Sequence, residues 1–208
     1  MALKGGKHIL VLGNSPQINE IDFDRLDPSV ITLGVNRIWL KHKPDYLFFH
    51  DYDIVQELGA HPELLAQLQD TSEIYSSDWL RASKKPIPNW VNVYNRQVNT
   101  RRMFPDSVTT AMLLFSTHYE KINDCTFYIA GVPLKWCSPS HFWKQLDYPN
   151  ALNKNQSNWY DPRFQRVIHN FKRLRNIGFR MVSATPHSEL NRFLRFENIE
   201  NLYIKGKP

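Results

Sequence analysis

Three short apolar runs, each closing on polar residues, fall within the first fifty positions of this 208-residue chain. His8 to Leu12 stops at Gly13-Asn14-Ser15-Pro16, Val30 to Val35 runs into Asn36-Arg37, and Tyr46 to Phe49 ends in His50-Asp51-Tyr52-Asp53. A strand covered on both faces needs uninterrupted apolar residues, and such strands belong to parallel sheets. The carboxyl ends of a parallel sheet face one crevice, which is where ligands bind.

The remainder of the chain fits the same frame. Tyr52 to Gly59 and Pro62 to Gln69 read as helices, followed by a weak strand near Glu73 to Ser76. Residues 80–106, with Pro86, Pro88 and Pro105, have no clear period and read as loop. Val108, Ala111, Met112, Leu114, Phe115 and Tyr119 give a helix over Ser107 to Ile122, with Asp106 or Ser107 placed to cap it. Thr126 to Gly131 is another buried strand. Val132 to Trp159 is rich in Pro, Ser, Asn and aromatics without a period, and a loop of that length in a compact domain is often a lid. Phe164, Val167, Ile168, Phe171 and Leu174 make an amphipathic helix that closes near Gly178, followed by a strand from Phe179 to Ser183. Thr185-Pro186-His187-Ser188 starts a short final helix through Phe193, and Leu202 to Ile204 reads as an edge strand. Strands alternating with helices predict a single α/β, Rossmann-like domain over residues 1–208. Its mostly parallel sheet is flanked by helices, with a lid-like insertion at 132–159.

Charge is distributed unevenly. Residues 1–78 hold 6 basic and 12 acidic side chains; residues 79–208 hold 20 basic and 8 acidic, and the total is +6. A basic region in an acidic frame suits a phosphate-bearing ligand or a polyanion. Two cysteines, Cys125 and Cys137, form no C-x-x-C pair and no disulfide framework, which fits a reducing compartment. The opening residues run into only the five-residue stretch His8 to Leu12 before Gly13, too short a core for a signal peptide or anchor. A cytoplasmic location without membrane association is expected, in the host cytoplasm if the protein is viral.

Gly13-Asn14-Ser15-Pro16 sits where a nucleotide-binding turn would, yet it is neither G-x-G-x-x-G nor G-x-x-x-x-G-K-[ST]. It offers a glycine for close backbone approach and an Asn that both donates and accepts hydrogen bonds; a plain strand-ending turn explains it equally well. Asp51-Tyr52-Asp53 has the D-x-D form with which many metal-dependent glycosyltransferases hold a nucleotide diphosphate through a divalent cation, making Asp51 and Asp53 the candidate ligands. Asp22-Phe23-Asp24 has the same form elsewhere, so the pattern alone discriminates little. A carboxylate or imidazole at this strand end also suits a base for an acceptor hydroxyl: Asp51 and His50 first, then His141 in Ser140-His141-Phe142-Trp143.

The run Ile9 to Leu26 resembles the opening of bacterial lipooligosaccharide sialyltransferases, a strand, a Gly-Asn-Gly-Pro-Ser turn and a Glu-Ile-Asp-x-x-Arg-Leu continuation. Val35-Asn36-Arg37-Ile38-Trp39 resembles their Cys-Asn-Gln-Phe-Tyr block. Leu47 to Asp51 falls on their third strand, where an Asn contacts the donor and this chain has His50. Asp106 to Ala111 and Phe127 to Val132 are similar to the family's Thr-Ser-Gly helix start and Ile-Tyr-Leu-Ser-Gly-Ile-Asp strand, and Met181 to Leu190 to its terminal strand and Pro-Asn-Ser turn. A broader relative in organisation is the archaeal-type hydroxymethylpterin pyrophosphokinase group. The resemblance implies that Asn14 and Asn36 contact a nucleotide donor, with Gly13, Ser15, Arg37, Ser107, Thr109, Gly131 and Ser188 completing the donor set. The family's lid His has no counterpart, since that place reads Asn158-Trp159-Tyr160-Asp161, and Pro133 replaces its Asp.

Arg81, Lys84, Lys85, Arg96, Arg101 and Arg102 occur between residues 79 and 102 without an acid, interleaved with Trp79, Trp90 and Tyr94. A second group, Arg163, Arg166, Lys172, Arg173, Arg175, Arg180, Arg192 and Arg195, has only Glu189 for company. Cations with aromatics suit a nucleic-acid groove, which puts Lys84, Lys85, Arg96, Arg101 and Arg102 forward as DNA contacts; helix surfaces and donor phosphates are the other uses for such charges. The lid aromatics Phe142, Trp143, Trp159 and Tyr160 suit stacking on a sugar or base, or packing on the core. The expected activity is transfer of a sugar from a nucleotide-sugar donor to a hydroxyl, with hydroxylated DNA bases the favoured acceptor, as in phage DNA modification. A carbohydrate or lipooligosaccharide acceptor is the first alternative. The second is a non-catalytic nucleotide or nucleic-acid binding module.

Overall fold

The structure, a computed structural model, describes residues 7–94, 106–134 and 157–205. Seven strands make one parallel sheet: β1 (Lys7–Leu12), β2 (Ile31–Val35), β3 (Tyr46–Phe49), β4 (Glu73–Ser77), β5 (Asn92–Tyr94), β6 (Cys125–Ala130) and β7 (Arg180–Ser183). Their order is β5-β4-β3-β2-β1-β6-β7. The chain steps outward from β1 to β5, then crosses back through α3 (Ser107–His118) to lay β6 against the other side of β1. Strand order therefore reverses between β1 and β6, and an open α/β sheet carries its ligand crevice at that reversal.

Burial on both faces explains the unbroken apolar runs. Ile9, Val11, Leu33, Val35, Phe48, Phe127 and Ile129 point to one face, under α3 and α4 (Ser157–Asn176). Leu10, Leu12, Leu47, Phe49, Tyr128 and Ala130 point to the other, under α1 (Tyr52–Ala60), α2 (Pro62–Thr71) and short 3-10 turns. The side-chain period of two sends alternate residues into two separate cores.

The structure departs from the sequence reading in five places. Leu202 to Ile204 is no edge strand: Leu202 ends a 3-10 turn (Ile199–Leu202) and is fully buried, while Tyr203 makes a single antiparallel bridge to Leu26. The stretch read as loop contains a 3-10 turn (Asp78–Ser83) and the three-residue β5, which pairs with β4 and is pinned by Tyr94, whose hydroxyl lies 2.8 Å from that of Tyr119. The helix read through Ile122 ends at His118, and the final helix is a 3-10 turn, Glu189–Arg192, capped by the Ser188 side chain. Of the lid reading, Ser157 to Trp159 opens α4, and residues 135–156 lie outside the described residues.

Candidate active site

The turn after β1 is built against β6. Gly13 N donates to Ala130 O at 2.9 Å and Ser15 N to Gly131 O at 3.1 Å, so the ladder continues past both strand ends. Gly131 turns there with φ +67°, its Cα against Ile18. Ser15 Oγ donates to Gln17 Oε1 (2.8 Å), and Gln17 Nε2 donates to Pro186 O (3.2 Å), which ties the turn to the end of β7. Asn14 Oδ1 is enclosed without a hydrogen-bond partner among the described residues. An acceptor stranded this way costs stability in the empty protein and asks for a donor from a ligand or water.

Asn36 stands at the matching place on β2. Leu12 pairs with Gly34, so Asn14 and Asn36 each lie two residues beyond the same rung. Asn36 adopts φ 52°, a left-handed conformation that Asn tolerates better than most residues. Its N–H donates to Phe48 O (2.8 Å), and its Oδ1 accepts from Ser107 Oγ (3.3 Å) at the first turn of α3. The amino end of α3 is thereby brought to the strand ends, where the helix dipole favours negative charge.

That end of α3 is held from beneath. Asp106 caps it, accepting from Thr109 N (2.8 Å), from Thr109 Oγ1, and from Asn170 Nδ2 of α4 (2.7 Å). Burial raises the Asp106 carboxyl above the ordinary carboxylate value, and the hydrogen bonds from Thr109 and Asn170 oppose that rise. The Asp106 carbonyl lies 3.3 Å from His50 Nε2, while His50 Nδ1 lies 3.1 Å from Ser77 Oγ.

At the end of β3, Asp51 precedes α1 without using its side chain as a cap. The packed protein around its carboxyl raises its pKa, Asp53 adds to the rise, and Arg37 and Arg163 oppose it. Arg37 reaches α1, with Nε 2.8 Å from Glu57 Oε2 and a terminal nitrogen 3.0 Å from Asp53 Oδ2.

No protein-family model matches the chain, and no curated protein matches it in sequence. Solved structures do match it in shape. The sialyltransferase CstII of Campylobacter jejuni in complex with cytidine-5'-monophosphate superposes with a TM-score of 0.57 at 13% identity, over 97% of this chain and 88% of that one. CstII with the substrate analogue CMP-3FNeuAc gives 0.58 at 15% identity, over 95% and 89%. The α-2,3-sialyltransferase Cst-I of Campylobacter jejuni gives 0.56 at 15%, over 100% and 85%. The chain has a sialyltransferase-like fold.

On that sialyltransferase-like scaffold the expected residues separate into groups. Gly13, Asn14, Ser15, Asn36, Ser107 and Gly131 gather where β1, β2, β6 and α3 meet. Four others make contacts within the frame. Thr109 is fully buried, its hydroxyl turned to Asp106; Ser188 Oγ donates to Val132 O at 2.7 Å and caps the following turn; Arg37 is paired to α1; and the His50 ring is buried between Ser77 and Asp106. Each serves the frame because its polar atoms meet backbone or side chain before they reach the crevice. Asp53 is paired with Arg37, which Glu57 shares, and among the described residues no group of three or more His, Cys, Asp or Glu is placed to hold a metal. Lys84 and Lys85 are exposed, Lys85 with its ammonium 4.8 Å from the Tyr52 ring centre. His141, Arg96, Arg101 and Arg102 lie outside the described residues.

Two contributors escape the sequence reading. Gln17, which latches the β1 turn to β7, lies one residue past the motif and carries an amide where the turn could have ended. Asn170 lies beside the apolar stripe of α4 at three residues from Val167, and a polar residue there signals a buried partner.

Proposed function

We propose that this chain transfers a sugar from a nucleotide-sugar donor to a carbohydrate hydroxyl. The observation that carries the proposal is the stranded Asn14 Oδ1 beside Asn36 at the reversal of strand order, with the amino end of α3 alongside. Such a site offers side-chain amides for a nucleoside and the positive end of a helix dipole for its phosphate. The solved neighbours hold cytidine-5'-monophosphate and a CMP-sugar analogue, which makes a cytidine nucleotide the first donor to test.

In the reaction a base takes the proton of the acceptor hydroxyl, whose oxygen attacks the anomeric carbon while the bond to the nucleotide phosphate breaks. The departing phosphate gains negative charge, which the amino end of α3 stabilises. Asp51 is the base among the described residues: it stands at a strand end, and the packing that raises its carboxyl pKa increases its basicity. His50 is excluded from that role by its contacts with Ser77 and the Asp106 carbonyl.

A carbohydrate acceptor is better supported than the hydroxylated DNA base. Half of the second basic group is engaged locally: Arg175 donates to Phe193 O, Arg192 pairs with Glu189, Arg195 pairs with Glu197, and Lys172 lies over the Phe193 ring. Charges tied to their own surface are less available to a phosphate backbone.

Thermal denaturation with CMP, CMP-sugars and UDP-sugars tests the donor assignment. At about one hundred times Kd a ligand contributes about 2.7 kcal/mol, several degrees for a chain of this length. Asn14→Ala should abolish that shift, while Asp51→Asn keeps the shift and loses turnover. If no nucleotide shifts the wild type, or Asn14→Ala shifts equally, the donor site is wrong. Turnover with hydroxymethylated DNA and none with saccharides would overturn the acceptor assignment.

A further inference from the structure

A cavity of about 260 Å³ opens at the carboxyl ends of β6 and β7, on the far side of the β1 turn from α3. Its walls include Gln17, Glu20, Gly131, Phe196, Glu200 and Tyr203. Two of these belong to the donor turn as well: Gly131 accepts from Ser15 N, and Gln17 links Ser15 Oγ to Pro186 O. The cavity and the candidate donor site therefore share a wall.

Its chemistry is unlike that of the donor site. Phe196 is 45% exposed, one of few large apolar side chains so open to solvent, although its backbone is fixed: Ser183 N donates to Arg195 O and Glu197 N to Ser183 O, which extends the edge of β7. Glu20 and Glu200 stand on 3-10 turns at the cavity, both exposed, and among the described residues no Lys or Arg lines it. Among the described residues no hydrogen bond reaches the Glu20 carboxylate, and Glu200 accepts one weak bond from Asn198 Nδ2 at 3.3 Å. Two acidic side chains repel a phosphate, so this hollow is not an extension of the nucleotide site. An open ring and acceptor-only carboxylates suit the apolar C–H face and the hydroxyls of a neutral pyranose. The volume is that of a single small ligand, near the roughly 300 Å³ lower end of ligand cavities.

We propose that this cavity is a subsite for a neutral hexose, with Phe196 as its platform and Glu20 and Glu200 as its hydroxyl acceptors. Its role as an acceptor subsite rests on the glycosyltransferase reading, because the shared Gln17–Gly131 wall sets the bound sugar beside the donor turn.

Saturation-transfer NMR on the full chain with glucose, galactose and glucuronate tests the assignment, with CMP-induced thermal shifts recorded in parallel. The neutral hexoses should receive transfer, and glucuronate should bind about fivefold more weakly through like-charge repulsion. Phe196→Ala should weaken hexose binding by about five- to tenfold, and Glu20→Gln with Glu200→Gln should bring glucuronate level with glucose. Undiminished hexose binding by Phe196→Ala, or a preference for glucuronate, overturns the subsite. If CMP shifts wild type and variant alike but hexose binding ignores Phe196, the subsite falls and the donor reading stands. If hexose binding depends on Phe196 and no nucleotide binds, the subsite stands as a saccharide site and the transferase reading falls.

Discussion

A methyl group added at Gly13 would lie 2.4 Å from Gly131 O and 2.6 Å from Val132 Cγ2, closer than non-bonded carbon tolerates. The obstacle on one side is backbone, in a ladder that cannot retreat without losing the Gly13–Ala130 and Ser15–Gly131 hydrogen bonds. Gly13→Ala is therefore expected to cost about 2–3 kcal/mol in urea unfolding. Gly59, near the end of α1, is the opposite case: nothing lies within 4 Å of its added Cβ. There the same substitution should stabilise by about 0.4–1 kcal/mol, by restricting the unfolded chain. Equal effects at the two positions would mean that the approach of β6 does not constrain the turn. The sequence marks Gly13 as a place of close approach, but the neighbour is a carbonyl more than one hundred positions away, and no local pattern names it. Asn14 and Asn36 are legible because each follows a buried run directly. The partners of Arg37 and Ser188 are hidden for the same reason that Gly13 is incomplete: Asp53, Glu57 and Val132 are brought to them by tertiary contact.

The α3 amino end depends on a carboxyl that the fold makes reluctant to ionise. The Asp106 side chain caps the helix, yet burial raises its pKa above the ordinary 3.8 despite the hydrogen bonds from Thr109 and Asn170. The folded protein then holds this proton more tightly than the unfolded chain does. Stability from this source is full below the unfolded value and is lost as pH rises through the folded one. Asn is as good an N-cap as Asp and carries no charge. Across a urea-unfolding series from about pH 3.5 to about pH 7.5, Asp106→Asn should gain on the wild type as pH rises. A gap that stays constant, or moves toward the wild type, would show that the hydrogen bonds outweigh burial. Aspartate or serine ahead of an apolar periodic run announces the cap in the sequence, so the start of α3 is legible. That Thr109 and Asn170 close over the same carboxyl is not, because α4 follows some fifty residues later and only packing brings it there.

The sheet order makes β1 the mechanical centre of the molecule. It pairs with β6 along its whole length and with β2 over four residues, and Ile9 to Leu12 are fully buried. β5 has three residues and pairs only with β4, its outer edge bare of any other strand among the described residues. The sequence shows β1, β2 and β3 because strands covered on both faces carry no polar interruption. It hides β5 because Asn92, Val93 and Tyr94 are half-covered at an edge, too few to set a period. It also misplaces Leu202 to Ile204, whose buried Leu202 closes the second core from a turn. Legibility and stability should follow the same gradient, because both report how completely a strand is enclosed. In native-state hydrogen exchange, the β1 and β6 amides should open only with global unfolding. Those of β5 should exchange at least about one hundredfold faster through local opening. The restraint against this is Tyr94, whose ring meets Tyr75 edge-on at 5.9 Å and whose hydroxyl reaches Tyr119. If the β5 amides prove as slow as those of β1, these aromatic contacts bind the edge to the core and the sheet opens as one unit. If they are fast, the edge frays while the β1–β6 reversal that carries Asn14 stays closed.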